Sequence, residues 1–153
     1  MTTWILVSDA SRAKLFTTEL REHDWKLVEQ FDHPEGRETS SEISPSSPPG
    51  KSQQSTAPGA HHTAFQPRTT PKEAEAERFA HLLGEYLNHA VQRTAFDHLV
   101  LVAPPHMLGM LREKLKHPVA ARLRATVNKD LAMLDAAELR ERLVDTVFPA
   151  GPG

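Results

Sequence analysis

The forty residues from His33 to Lys72 constrain this chain more than any other feature of its sequence. They hold 7 of the 12 prolines, 3 of the 7 glycines and seven serines, and their only large apolar residues are Ile43 and Phe65. A segment so composed cannot bury enough apolar surface to offset the entropy of ordering it, and it reads as solvated and flexible. About 113 of the 153 residues are left to build a core, the size of one ordinary domain. Residues 1–150 are therefore expected to form that domain, with 33–72 as a long internal loop. Structureless stretches of this length are uncommon inside a compact domain and tend to be functional. The polar residues Lys51, Gln53 and Gln54, with His61 and His62 further on, suit a tip that reaches into a partner.

Outside that segment the apolar residues are periodic. Trp4-Ile5-Leu6-Val7 is a short continuous run of the kind found in a central strand covered on both faces, and the turn residues Ser8-Asp9-Ala10-Ser11 follow it. Ala13 to Thr18 and Trp25 to Phe31 read as the next two strands, giving an antiparallel meander. Thr70-Pro71-Lys72-Glu73 is a capping box with proline at the first helical position, and a helix is expected from there to about Ala95. Phe79, Leu83, Tyr86, Leu87, Ala90 and Val91 form its apolar stripe. His98 to Ala103 is a buried strand, followed by a helix from Pro105 to Lys116 that Pro118 stops. Arg122 to Lys129 alternates apolar and polar residues, as a strand at a sheet edge does. Asp135-Ala136-Ala137-Glu138 is a second capping box, flanked by the staple pair Leu134 and Leu139, and the last helix carries Leu143, Val144 and Val147. The order β-β-β-(long loop)-α-β-α-β-α predicts an α/β fold: a ribonuclease H-like mixed five-stranded sheet with helices packed on it.

Composition narrows the chemistry. With no cysteine, disulfides, Cys-ligated metal centres and thiol catalysis are excluded, in keeping with a reducing compartment. The start of the chain has no basic region ahead of its four-residue apolar run, and no stretch approaches the length of a membrane span. The expectation is a soluble cytoplasmic protein without membrane contact. The net charge of −2 argues against indiscriminate coating of nucleic acid. The charge is uneven, however: Arg112, Lys114, Lys116, Arg122, Arg124 and Lys129 face Glu113 alone, a balance of +5 in eighteen residues. Such a band suits phosphate contact, and it is equally what a solvated helix face and a guarded strand edge would show. No aromatic residue is interleaved with it, which counts against base stacking.

Two residues are catalytic candidates. Asp9 at the end of the first strand and His106 after the fourth would both stand at the carboxyl edge of the sheet, where α/β folds bind ligands. A two-metal nuclease would need a carboxylate at the end of the fourth strand, and Val102-Ala103-Pro104-Pro105-His106 supplies none. Asp9 then reads as a turn residue and His106 as a polar contact. A helix N-terminus there could dock an anion, but Pro104 and Pro105 remove two of its donors. Neither His61-His62 nor His33 has the spacing of a metal site, and no cofactor is implied.

Several of these stretches resemble one family. Trp4 to Phe16, Gly59-Ala60-His61-His62, Pro71 to Ala80, Asn128-Lys129-Asp130-Leu131 and above all Leu99 to Arg112, with its Leu-Val-Leu-Val-Ala-Pro-Pro-x-x-Leu-Gly-x-Leu-Arg pattern, look like the bacterial host attachment proteins, described as required for attachment to host cells. The resemblance spans Trp4 to about Leu143. It implies kinship with the middle domain of the eukaryotic and archaeal class-one peptide-chain release factor, in which a long loop carries a Gly-Gly-Gln tip into the ribosome. Here the nearest residues are Gly50-Lys51-Ser52-Gln53-Gln54 and Gly59-Ala60-His61-His62, so the tip is absent.

The resemblance thus implies a translation-related module that binds ribosome or structured RNA, more readily a binding protein than an enzyme. Any activity would be ester or peptidyl-tRNA hydrolysis. Arg12 and the basic band Arg112, Lys114, Lys116, Arg122, Arg124 and Lys129 would meet RNA. The alternatives are a protein-interaction factor that affects attachment through loop 33–72, with homodimerisation open to the edge strand, and a hydrolase at the carboxyl edge of the sheet.

Overall fold

The computed structural model describes residues 1–34 and 70–149. Three strands, β1 (Thr3–Ser8), β2 (Arg12–Thr18) and β3 (Lys26–Asp32), precede helix α1 (Pro71–Gln92). Then follow β4 (His98–Ala103), α2 (Pro105–Lys114), the single turn α3 (His117–Ala120), β5 (Leu123–Asn128) and α4 (Ala136–Val147). The sheet order is β3-β2-β1-β4-β5, and β2 alone runs against the other four strands. This is the ribonuclease H-like arrangement that the element order predicts.

The period-two alternation of side chains along a strand divides the core into two layers. Trp4 and Leu6 of β1, with Leu99, Leu101 and Ala103 of β4, pack under α1, α2 and α3. Ile5 and Val7, with Val100 and Val102, pack under α4 through Leu139, Leu143 and Val147. β1 and β4 are therefore covered on both faces, which is why each reads as an unbroken apolar run. Trp4 closes the first layer, its ring stacked 4.8 Å from Phe96 and 6.2 Å from Tyr86.

Both capping boxes form. Thr70 Oγ1 accepts from the Glu73 N–H at 3.0 Å while the Glu73 carboxylate takes the Thr70 N–H, and Asp135 and Glu138 repeat the exchange at α4. Two helices end earlier than expected. α1 stops at Gln92 because Thr94 turns left-handed, with φ 56°, and donates its N–H to Val91 while Ala95 donates to Ala90. α2 stops at Lys114 because the buried Asn88 intervenes: its Nδ2 donates to the Lys114 carbonyl at 3.1 Å and its Oδ1 accepts from the Lys116 N–H at 3.0 Å. Pro118 then lies inside the separate turn α3.

Candidate functional site

β1, β3, β4 and β5 all point the same way, so their carboxyl ends share one edge of the sheet. The turn after β1, His33 after β3, the first turn of α2 after β4 and the residues after β5 meet there, together with the start of α1. Asp9 organises the first of these. Its Oδ1 accepts the backbone N–H groups of Ser11 and Arg12, each at 2.8 Å, and its Oδ2 lies 3.8 Å from Arg12 Nε. A carboxylate that closes its own turn in this way shapes the β1–β2 connection. Arg12 lies between Asp9 and Met133 Sδ.

His106 is placed by the proline pair. Pro104 is extended at the N-cap (φ −61°, ψ 160°), its carbonyl accepts from the Leu108 N–H at 2.8 Å, and Pro105 begins the helix. The His106 ring is 70% exposed and its Nε2 lies 3.5 Å from Glu73 Oε2. No hydrogen bond joins Asp9 to His106; each is engaged elsewhere. A groove of about 460 Å³ opens between α1 and α2 beside His106, and Glu73, Glu77 and Glu113 line it. Three carboxylates repel an anion that the α2 N-terminus would otherwise attract. Among the described residues no group of three or more His, Cys, Asp or Glu is disposed to hold a metal ion.

The segment between residues 34 and 70 leaves and re-enters at this same edge, where a contact that the sequence gives no hint of joins its two ends. His33 Nε2 lies 2.9 Å from Glu75 Oε1, and the His33 ring stacks on Phe79 at 5.4 Å with only 10° between the planes. Glu75 also pairs with Arg78. The hydrogen bond from His33, assisted by Arg78, holds the Glu75 carboxyl below its ordinary range. The loop-tip candidates Lys51, Gln53, Gln54, His61 and His62 lie outside the described residues.

The basic residues that stand close together in sequence are divided in space. β5 carries the chain from the amino edge of the sheet to the carboxyl edge, roughly 17 Å at the rise of a strand, so Arg122 and Lys129 stand at opposite ends. Lys114 is tied to Glu77 at 3.1 Å across the α1–α2 contact. Arg124 turns to the other face of the sheet and donates to the Val147 carbonyl at 2.7 Å. Arg112, Lys116 and Arg122 remain near the amino edge, around the junction of α2, α3 and β5. A groove of about 470 Å³ runs there, lined by Gly109, Arg112, Glu113, Leu115, Ala120 and Leu123. Arg112, Lys116 and Lys129 have no ion-pair partner among the described residues, and Arg122 donates only to the Pro118 carbonyl. At the start of β4, burial and the nearby Arg124 lower the pKa of His98.

A family model described as "Protein required for attachment to host cells" matches residues 4–143. No curated protein matches the sequence. Among solved structures, the archaeal translation termination factor aRF1 is 9% identical, with a TM-score of 0.48 over 95% of this chain and 38% of that one. A structure titled "Archaeal protein" is 8% identical, with a TM-score of 0.45 over the same shares. The chain thus spans less than two fifths of either of those proteins. No helix among the described residues is long and apolar enough to cross a membrane.

Proposed function

The chain belongs to the family of proteins required for attachment to host cells, and from that premise we propose that it is a binding module that docks structured RNA, as found on the ribosome, by its phosphate backbone. The observation that carries this reading is the corner at the amino edge of the sheet, where Arg112 lines a groove beside Glu113 and Lys116 and Arg122 belong to the turns on either side of α3, the three cations having no ion-pair partner among the described residues. Cations without carboxylate partners are available to displace the counterions of a nucleic acid. Nothing aromatic lines the groove. Recognition there is of the backbone and its shape, with little sequence preference. Lys114 and Arg124, held by Glu77 and Val147, contribute less than their place in the sequence implies. Arg12 and Lys129 lie at the far edge and would serve a second, separate contact.

The test is titration of a labelled RNA hairpin, followed by fluorescence anisotropy at several salt concentrations. Three phosphate contacts predict a log–log salt slope of roughly −2 to −3. The triple variant Arg112→Glu/Lys116→Glu/Arg122→Glu should weaken binding at least about tenfold, whereas Lys26→Glu/Lys72→Glu, two charge reversals against three and at exposed positions away from that corner, should not. A wild-type protein that ignores RNA at low salt, or a triple variant that binds as well as wild type, overturns the reading.

A further inference from the structure

Gly109 and Glu113, one turn apart on α2, line the acidic groove on one side of that helix and the groove beside Arg112 on the other. Among the described residues Glu113 is the one carboxylate that lines the groove beside Arg112; Leu115, Ala120 and Leu123 there are apolar. Glu113 is exposed and has no ion-pair partner among the described residues, and the backbone explains why. Neighbouring residues of a helix do not face each other, so Arg112 is turned away from it. Lys116 and His117 stand three and four residues on, where a continuing helix would bring them alongside, but α2 ends at Lys114 on the Asn88 side chain. On the acidic side Glu77 is taken by Lys114, and Glu73 has His106 at 3.5 Å. Of the three carboxylates on that groove, Glu113 alone is left unengaged among the described residues.

A carboxylate in a groove that meets phosphates works against affinity, because it repels them. It accepts hydrogen bonds and donates none, so what it can take from a nucleic acid is a donor. Phosphate oxygens are acceptors. Where recognition is of backbone and shape, the donor at hand is the ribose 2′-hydroxyl, which A-form RNA displays along its wide, shallow minor groove. We propose that Glu113 is a specificity-determining residue: its carboxylate accepts a hydrogen bond from a ribose 2′-hydroxyl while Arg112 holds a neighbouring phosphate, so that the groove takes RNA in preference to a backbone without that hydroxyl. The inference rests on the RNA reading and adds the sugar to it. A Cβ on Gly109 would meet nothing within 4 Å, and this open space lets a ribose approach the helix surface one turn from Glu113. The outcome is discrimination and not tighter binding, since the hydroxyl offsets the repulsion for RNA and a backbone that lacks it meets the repulsion alone.

Anisotropy titrations of the full chain with two labelled hairpins of one sequence test this: RNA, and its 2′-fluoro analogue, which keeps the A-form helix without the donor. The wild type should bind RNA about fivefold or more tighter than the analogue, as befits one hydrogen bond to a charged group. Glu113→Ala, at an exposed position, should bring that ratio to about one, chiefly by strengthening the complex with the analogue. Glu113→Gln, which keeps an acceptor and loses the charge, should bind both hairpins more tightly and keep part of the preference for RNA. A wild type that binds the two hairpins alike, or a Glu113→Ala protein that keeps the wild-type ratio, overturns the proposal while the RNA reading stands, since absolute affinity and the Arg112→Glu/Lys116→Glu/Arg122→Glu variant test the latter. Equal weakening of both complexes by Glu113→Ala would assign the carboxylate to a donor on the bases and overturns it too. A wild type that binds neither hairpin at low salt overturns both. Circular dichroism confirms that each variant is folded.

Discussion

His33 and Glu75 are 42 residues apart in sequence, and His33 Nε2 lies 2.9 Å from Glu75 Oε1. The contact fastens the start of α1 to the end of β3, with Phe79 under the His33 ring and Arg78 on the far side of the carboxylate. It closes the base from which the segment between residues 34 and 70 departs.

Because the hydrogen bond from His33 holds the Glu75 carboxyl below its ordinary value near 4.5, the folded state favours the ionised form. That stability is fully present above pH 4.5 and disappears as pH falls through the lowered value. Glu75→Gln is therefore expected to be less stable than wild type at neutral pH and to lose that difference in strong acid. Urea melts of both proteins across the acid range measure it. In a double-mutant cycle, His33→Ala and Glu75→Gln should be non-additive; strict additivity would mean that the two side chains do not act together.

Gly84 and Gly109 make opposite predictions. A Cβ on Gly84 would lie 2.6 Å from Lys114 Cβ, where α1 and α2 touch, so Gly84→Ala forces the helices apart and should cost about 1–3 kcal/mol. A Cβ on Gly109 would meet nothing within 4 Å, and alanine suits a helix interior, so Gly109→Ala should stabilise by about 0.5–1 kcal/mol. Chemical denaturation of the two variants reads both signs. Gly109 also lines the grooves on either side of α2, so the stabilised variant shows whether its bare surface matters for RNA binding.

The parts of the fold that local chemistry specifies were legible in the sequence. The capping boxes at Thr70 and Asp135 and the doubly buried runs of β1 and β4 state their own structure, and the alternation from Leu123 to Asn128 marks an edge strand. What was not legible depends on distant partners. Asn88 resembles any polar residue of a helix until its side chain is seen ending α2. The basic band looks continuous because a linear count of charge takes no account of a strand crossing the sheet, and Glu75 blends with its acidic neighbours until His33 is placed beside it.

Thr94 illustrates the same limit at a helix end. With φ 56° it occupies the left-handed position that follows many helices, and the paired bonds from Thr94 to Val91 and from Ala95 to Ala90 complete the cap. Glycine is the residue that marks such an end in a sequence, and a β-branched residue there is strained. Thr94→Gly should relieve that strain and raise stability by roughly 1 kcal/mol, seen as a higher denaturation midpoint with an unchanged slope. Thr94→Val, which keeps the branch, should gain nothing.

His98, at the start of β4, lies within reach of the Arg124 charge on the neighbouring strand β5. Burial, and then the Arg124 charge, lower the His98 pKa below its ordinary 6.5, so the folded protein holds the ring neutral at pH 7. The unfolded chain binds the proton more readily. The resulting stability is present above pH 6.5 and is lost as pH falls through the lowered value, the same sign as for Glu75 but in a higher window. Proton NMR of the His98 ring should place its midpoint below 6.5. Arg124→Gln should move that midpoint upward, because the Arg124 charge that helps to lower it is removed while the burial remains. The same substitution weakens the hold on the Val147 carbonyl, so the end of α4 should exchange its amide protons faster. A midpoint that does not move in Arg124→Gln would mean that the Arg124 charge plays no part in the shift and leave Arg124 with its α4 contact alone.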